Sequence, residues 1–245
     1  GGVAILTPLD LPDDGKALST EAFIAALDAG IRQPGRDRTT HPFIAAVEDG
    51  SATLNQIAGW RHQITLWAHP TNLLYGHMYA HCPDDDLRQM IFENMAEEEH
   101  GATSGAGGHI SLNYRFLEEL GWGEARRAAD HARPETWLLR HWFEVVITER
   151  PIVDSIASLS FTAERLNPEV LGRVYQGLRK NYKISDDGLM SLAVHASHVE
   201  EEHGSLGPVA FERYAATAYD QARVRFAVFH TAEVYYNMYN VWTGY

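Results

Sequence analysis

Apolar residues recur along most of the chain at intervals of three and four, which is the spacing of one face of an α-helix. No stretch shows the strict alternation of apolar and polar residues that is typical of a half-buried strand. The pattern therefore predicts an all-α protein of about eight to ten helices, several of them long. The predicted helices lie near residues 20–33, 41–50, 53–81, 85–100, 109–121, 134–163, 167–181, 186–203 and 207–241.

Prolines and glycines predict where these helices bend or end. Pro70 and Pro151 fall inside helical stretches and should kink them, because each proline removes one backbone hydrogen bond. Residues 1–18 are rich in Pro, Asp and Gly, so we expect an irregular N-terminal arm. No internal segment is long enough to be a linker, and we expect a single domain over residues 1–245.

The short phrase Glu-Glu-Glu-His-Gly occurs twice inside predicted helices. The first copy supplies Glu97 and His100, which lie on one helix face because they are three residues apart. The second copy supplies Glu200 and His203 with the same spacing. One copy alone is typical of a solvated helix end. Two copies favour a metal centre of the kind that helical bundles build for paired iron or manganese ions.

Composition narrows the set of partners. The formal net charge is −13 and Lys and Arg form no cluster, so we expect no binding to nucleic acid or to an anionic membrane. The single cysteine, Cys82, excludes an intrachain disulfide framework. No apolar run reaches the roughly 18–20 residues that span a bilayer, and the first residues lack a signal-peptide pattern. We therefore expect a cytoplasmic protein with a small-molecule substrate.

Four stretches together resemble the heme-oxygenase-like superfamily, in the branch around pyrroloquinoline-quinone synthase. They are 41–60 (HPFIAAVEDGSATLNQIAGW), 93–101 (ENMAEEEHG), 109–121 (HISLNYRFLEELG) and 177–204 (GLRKNYKISDDGLMSLAVHASHVEEEHG). The resemblance covers about residues 38–240. It implies a bundle of about seven core helices around a central pocket, here with short N-terminal helices added, and a homodimer.

The segment at residues 93–101 looks like that of the superfamily's di-iron oxidases, and the resemblance implies a set of metal ligands. Glu97 takes the place of the early glutamate. The early histidine is either His100, one turn away, or His109, at the head of the next helix. The middle glutamate is Glu149, before a predicted kink, with Glu144 as the alternative.

The late ligands implied by the resemblance are His195, Glu200 and His203. Their spacing is one residue longer than the usual pattern of these oxidases. A π-bulge of one residue would restore the register, and such bulges are frequent at functional sites. The alternative set is His195, His198 and Glu202, which also share one helix face.

This ligand chemistry suits iron. Imidazole and carboxylate ligands with open positions are what non-heme Fe(II) uses to bind O₂, and the candidates exceed the four ligands of a single zinc. We expect two Fe(II) ions, O₂ as co-substrate and, where the reaction needs one, an external electron donor. The resemblance implies an oxidase or oxygenase that acts on a small, amino-acid-derived metabolite in biosynthesis. Its outcome would be N-oxygenation, desaturation, C–C cleavage or nitrile formation.

Two other functions occur on the same fold. A metal-free oxidase resembling pyrroloquinoline-quinone synthase would bind an anionic substrate with basic side chains, whereas the candidate site here is rich in Glu. A thiaminase II-like hydrolase needs a cysteine nucleophile in its pocket, and Cys82 instead lies at a Cys-Pro-Asp helix end.

The long predicted helix over residues 53–81 also carries candidates for substrate contact. His62, Trp67 and His69 are expected to line a pocket. His41 precedes Pro42, and we expect it to cap or pack against a helix and not to bind metal.

Overall fold

The structure is a computed structural model that describes residues 15–69, 71–196 and 206–245. Within these ranges the regular structure is helical and contains no strand, which confirms the all-α class. Short 3₁₀ segments cover Arg38–Thr40 and Tyr239–Gly244, and a π-helix covers Ala157–Thr162. The α-helices are α1 (Thr20–Ile31), α2 (Pro42–Asp49), α3 (Leu54–Ala68), α4 (Thr71–His81), α5 (Asp85–His100), α6 (His109–Glu119), α7 (Glu124–Ala129), α8 (Pro134–Glu149), α9 (Ile152–Ile156), α10 (Ala163–Arg165), α11 (Asn167–Asn181), α12 (Met190–His195), α13 (Leu206–Tyr214) and α14 (Ala218–Met238).

The long helix predicted over residues 53–81 is two helices, α3 and α4. Thr53 starts α3 with a capping box, in which its hydroxyl accepts from the Gln56 amide and the Gln56 side chain accepts from the Thr53 amide. Pro70, where we predicted a kink, lies outside the described residues.

The prediction of one continuous last helix over residues 207–241 is wrong. The chain leaves α13 at Tyr214 and starts α14 at Ala218. Thr217 is the reason for the new start, because its hydroxyl accepts a hydrogen bond from the Asp220 amide at 3.1 Å.

Pro151 interrupts the helix predicted over residues 134–163. Because proline has no amide hydrogen to donate, α8 ends at Glu149 and α9 begins at Ile152. The six residues of the π-helix follow, and all of them are buried. The Thr162 hydroxyl donates to the Ala157 carbonyl at 2.6 Å. This wide turn ends two residues before Glu164, a buried acid that matters for the site described below.

Buried apolar side chains form one main cluster that runs from Phe23 in α1 to Val241 near the C-terminus. Its aromatic centre is Trp60, whose ring centroid lies 4.6 Å from that of Phe43 and 5.5 Å from that of Tyr239. None of the described helices is both long enough and apolar enough to cross a bilayer.

His41 caps α2, as the sequence indicated. Its Nδ1 accepts a hydrogen bond from the Phe43 amide, and its Nε2 lies 3.0 Å from Asn240 Oδ1. The contact with Phe43 needs a neutral ring, since Nδ1 can accept only when it carries no proton, whereas Nε2–H can donate to Asn240 from either form of the ring. Burial lowers the pKa of His41 from 6.5 to about 4, even though the hydrogen bond with Asn240 acts to raise it.

We predict that His41 makes the protein less stable as the pH falls from 6.5 to 4. In this window the unfolded chain binds a proton on His41 and the folded chain does not. The free energy of unfolding should therefore fall by up to about 1.4 kcal/mol per pH unit from this group. The variant His41→Asn keeps a capping side chain and should show a shallower slope in urea unfolding across this range. His141→Asn, at an exposed position of α8, should keep the wild-type slope.

Candidate functional site

A cavity of about 70 Å³ lies between the helices, open on one side. It combines acidic groups, imidazoles, a guanidinium and aromatic rings. The side chains that give it this character are Arg61, Trp67, Glu98, His109, Glu164 and His195.

Glu97 is fully buried, with an exposed fraction of 0 %, and it fastens the glycine-rich loop after α5. Its Oε2 accepts hydrogen bonds from the backbone amides of Thr103 at 2.6 Å and Ser104 at 3.0 Å. Its Oε1 lies 3.2 Å from His109 Nε2. Burial alone would raise the pKa of Glu97, but the hydrogen bonds from His109, Ser104 and Thr103 outweigh it and lower that pKa well below its usual range. Glu97 is therefore ionised, and both of its oxygens are engaged.

His109 lies between two carboxylates at the head of α6. The Glu97 carboxylate accepts from Nε2–H, which leaves the lone pair of the neutral ring on Nδ1. Glu98 Oε1 lies 3.0 Å from that Nδ1. A lone pair and a carboxylate at this separation repel each other unless a proton or a cation lies between them. The His195 ring packs nearly perpendicular to the His109 ring, with centroids 4.5 Å apart.

Glu164 lines the same cavity and follows the π-helix by two residues. Its Oε1 accepts a hydrogen bond from the Tyr75 hydroxyl at 2.9 Å. Burial, and then the charge of Glu164, raise the pKa of Tyr75 well above its usual value. The tyrosine therefore keeps its proton and remains a donor that holds the Glu164 carboxylate.

The structure brings only some of the predicted ligands to the cavity. His109 and His195 line it, whereas Glu97 lies behind His109. Of the two alternatives for the early histidine, His100 is exposed at the end of α5 and does not line the cavity. Glu200 and His203 lie outside the described residues.

Neither candidate for the middle glutamate reaches the cavity. Glu149 is exposed, because it follows the buried Ile147 by two residues and so points from the other face of α8. Glu144 is partly exposed and pairs with Arg140, whose Nε lies 2.6 Å from its Oε1. Glu164 is the glutamate that occupies the middle of the chain and lines the cavity.

The late alternatives His198 and Glu202 also lie outside the described residues. His195 belongs to both alternative sets of late ligands, and it is the only member of either set that the structure describes. The π-bulge that we considered for the late helix falls in the same segment.

Of the three residues predicted to contact the substrate, only Trp67 lines the cavity. Trp67 lines the cavity and stacks on Phe143, with ring centroids 5.2 Å apart. His62 is buried against Trp122, with centroids 5.6 Å apart, and does not line the cavity. His69 is exposed and lines a neighbouring surface pocket, which shares Glu98 with the cavity.

The sequence pattern does not single out Glu98 and Glu164 as candidates for the site. Glu98 was hidden inside the run Glu97–Glu99, where only burial separates the three side chains. Glu164 carries a weaker signal, since it ends the uncharged stretch 155–163 (SIASLSFTA). A buried acid needs a partner or a function.

The donor set fits a non-heme iron centre, because carboxylates and imidazoles from α5, α6, α10 and α12 meet at one cavity. Among the residues that the structure describes, no three His, Cys, Asp or Glu side chains are already gathered closely enough to hold one ion. The facing pair of Glu98 and His109 is the described contact that best accommodates a cation.

Residues 59–236 match the sequence model of a family described as iron-containing redox enzymes, and the chain belongs to that family. It is also 26 % identical over 217 residues to the 4-aminobenzoate synthase of Nitrosomonas europaea, a match that covers 84 % of this chain and 85 % of that protein.

Solved structures confirm the fold. A TenA homologue from Pseudomonas syringae has a TM-score of 0.75 at 12 % identity and covers 94 % of this chain and 98 % of its own. A domain with a heme-oxygenase-like fold from Shewanella denitrificans has a TM-score of 0.71 at 15 % identity. The match covers 92 % of this chain and 90 % of that domain. A CADD-like protein from Nostoc punctiforme has a TM-score of 0.71 at 15 % identity. The match covers 92 % of this chain and 97 % of that protein. The resemblance to the heme-oxygenase-like superfamily is therefore confirmed.

We predict that Glu97→Gln destabilises the protein by about 1.5–3 kcal/mol, the range for hydrogen bonds to a charged group. Glutamine is neutral and has one acceptor oxygen, so it cannot accept hydrogen bonds from both Nε2–H of His109 and the amides of Thr103 and Ser104 as the Glu97 carboxylate does. Urea unfolding measures the loss of stability, and hydrogen exchange at the two loop amides should become faster.

The matched control is Glu99→Gln, two positions further along the same helix. Glu99 is exposed, so its substitution should change the free energy of unfolding by less than about 0.5 kcal/mol. Equal effects of the two substitutions would contradict the role of Glu97.

Proposed function

We propose that this chain is an O₂-dependent non-heme di-iron oxidase or oxygenase that acts on a small, amino-acid-derived metabolite in biosynthesis. The observation that carries the proposal is the meeting of Glu98, His109, Glu164 and His195 at one cavity, in a chain that belongs to an iron-containing redox family. The similarity to a 4-aminobenzoate synthase supports a biosynthetic reaction of a small metabolite.

The residues that would hold the iron are Glu98, His109, Glu164 and His195, which line the cavity. The late segment would complete the set with Glu200 and His203, or with His198 and Glu202. Iron bound by such ligands supplies the one-electron chemistry with O₂ that amino-acid side chains lack.

The protein's own side chains hold these ligands in place. Glu97 accepts from Nε2–H of His109 and so directs Nδ1 toward Glu98. The Tyr75 hydroxyl holds Glu164 Oε1 in the same way. Buried second partners of this kind fix the tautomer and orientation of a ligand before the metal binds.

Two further properties belong to the proposal. We propose a homodimer, following the resemblance to the superfamily. We also propose an external electron donor for those reactions in which the substrate does not supply all the electrons that O₂ takes up. Metal-free oxidation of an anionic substrate is the alternative function if no iron binds.

Iron binding tests the proposal directly. Protein reconstituted with Fe(II) without oxygen and then desalted should contain about two iron ions per chain by elemental analysis. Glu164→Gln and Glu98→Gln should each weaken iron binding by about tenfold or more, because each removes a charged oxygen ligand while keeping the side-chain shape. Competition with a chromogenic chelator measures this change.

Glu149→Gln is the matched control, since Glu149 is an exposed glutamate on α8. This substitution should leave both the stoichiometry and the affinity for iron unchanged. If Glu149→Gln lost iron while Glu164→Gln retained it, Glu149 and not Glu164 would be the iron ligand. Wild-type protein that binds no iron would leave the metal-free oxidase as the better function.

A further inference from the structure

Arg61 is a fully buried cation in the wall of the cavity, with 2 % of its surface exposed. Its Nη2 donates hydrogen bonds to Asn113 Oδ1 and Ser191 Oγ, and both of these partners are neutral. Within the described part of the chain, no carboxylate lies within ion-pair distance of Arg61, and its buried Nε has no hydrogen-bond partner.

Other buried arginines of the chain differ from Arg61. Asp154 lies between Arg223, whose Nε is 3.0 Å from Oδ1, and Arg150, whose Nη2 is 2.9 Å from Oδ2. Arg38 donates to the Ala163 carbonyl at 2.8 Å. These arginines therefore have an ionic or backbone partner, whereas Arg61 has only two neutral side-chain partners on one of its nitrogens.

A buried guanidinium without a counter-charge is costly, because the transfer of a charge out of water is repaid only by an ion partner or by complete hydrogen bonding. Burial lowers the pKa of Arg61 to about 10, whereas electrostatic interactions with Tyr235, Tyr239 and Glu98 act to raise it. The group is still protonated at neutral pH, so the cavity wall carries a permanent positive charge.

Two more unpartnered donors line the same cavity. Trp67 Nε1 and Thr71 Oγ1 are buried and, within the described ranges, make no hydrogen bond. Together with Arg61 Nε they give the cavity a set of unused donors. Unpaired buried donors in a binding site are satisfied by acceptor atoms of a ligand.

The neighbouring groups restrict the ligand further. The rings of Trp67, Tyr75 and Tyr235 line the cavity and favour a flat, aromatic body. Glu98 and Glu164 also line it, so the two charges of a phosphate monoester would meet about twice the repulsion that the single charge of a carboxylate meets. The cavity of about 70 Å³ is smaller than an aromatic acid, so the body of the ligand must extend through its open side.

We propose that Arg61 binds the carboxylate of a small aromatic acid and holds this acid in the cavity beside Glu98 and His109. A planar guanidinium matches the two oxygens of a carboxylate and is therefore suited to this role. The inference names the substrate class of the proposed oxidase. The binding itself needs only the cavity and not the iron, so the two proposals can fail separately.

The test uses benzoate as the probe and benzamide as its neutral isostere. Isothermal titration calorimetry of the full chain, with metal removed by dialysis against a neutral chelator, excludes any contribution from carboxylate bound to iron. Benzoate should bind, and benzamide should bind about tenfold or more weakly, because it lacks the charge that Arg61 neutralises. Equal binding of the two probes, or no binding of benzoate, would overturn the proposal.

Substitution of the arginine gives the second comparison. Arg61→Met keeps an unbranched apolar stem but removes the guanidinium and its charge, and benzoate binding should weaken by about tenfold or more. Arg61→Lys should retain part of the affinity, since it keeps the charge but loses the planar fork. Arg115→Met, at an exposed position of α6, should bind benzoate as the wild type does.

Asn113→Asp covers the case in which Arg61→Met does not fold. This substitution has nearly the same shape and turns the neutral partner of Arg61 into a carboxylate. The new carboxylate should form an ion pair with the Arg61 guanidinium. Benzoate binding should therefore weaken by about tenfold or more while the fold is retained. Unchanged benzoate affinity in a folded Asn113→Asp protein would contradict the role of Arg61.

Iron content separates this proposal from the proposed function. Arg61→Met and Arg61→Lys should still bind iron, because Arg61 is not one of the proposed ligands. Wild-type protein that binds benzoate but no iron would contradict the di-iron oxidase alone. Wild-type protein that binds iron but no benzoate would contradict the substrate class alone.

Discussion

The site depends on one buried carboxylate that has no contact with the cavity itself. Glu97 binds the loop amides of Thr103 and Ser104 through one oxygen and His109 through the other. It thereby joins the end of α5, the glycine-rich loop and the start of α6. An ionised side chain with no exposed surface is stable only because each oxygen is fully engaged, and this requirement fixes the His109 ring.

Charged and polar side chains gather around this point in the interior of the bundle. Glu164, Arg61, Glu98 and His109 surround a small cavity inside a cluster of apolar side chains. Such groups lower stability when they lack partners, and a protein keeps them there when their function outweighs that cost. The fold supplies the rigid part of the arrangement, since the acidic and basic groups project from packed helices.

Much of the fold was predictable because the 3.6-residue period is local information. The all-α class and the heme-oxygenase-like resemblance were both confirmed. The helix boundaries were less predictable where tertiary or capping interactions decide them. Thr217 starts a new helix inside a pattern that reads as continuous, and the π-helix Ala157–Thr162 leaves no clear mark in the apolar sequence.

The sequence by itself determined that glutamates and histidines lie at helical spacing along this protein, because residue type and spacing are written in the chain. Only the tertiary structure decided which of them share a cavity. Glu97, Glu98 and Glu99 are chemically identical, yet one is buried behind His109, one lines the cavity and one is exposed. The difference arises from packing against α6 and its loop, and pairings between residues distant in sequence, such as Glu164 with Tyr75, are not encoded by any local pattern.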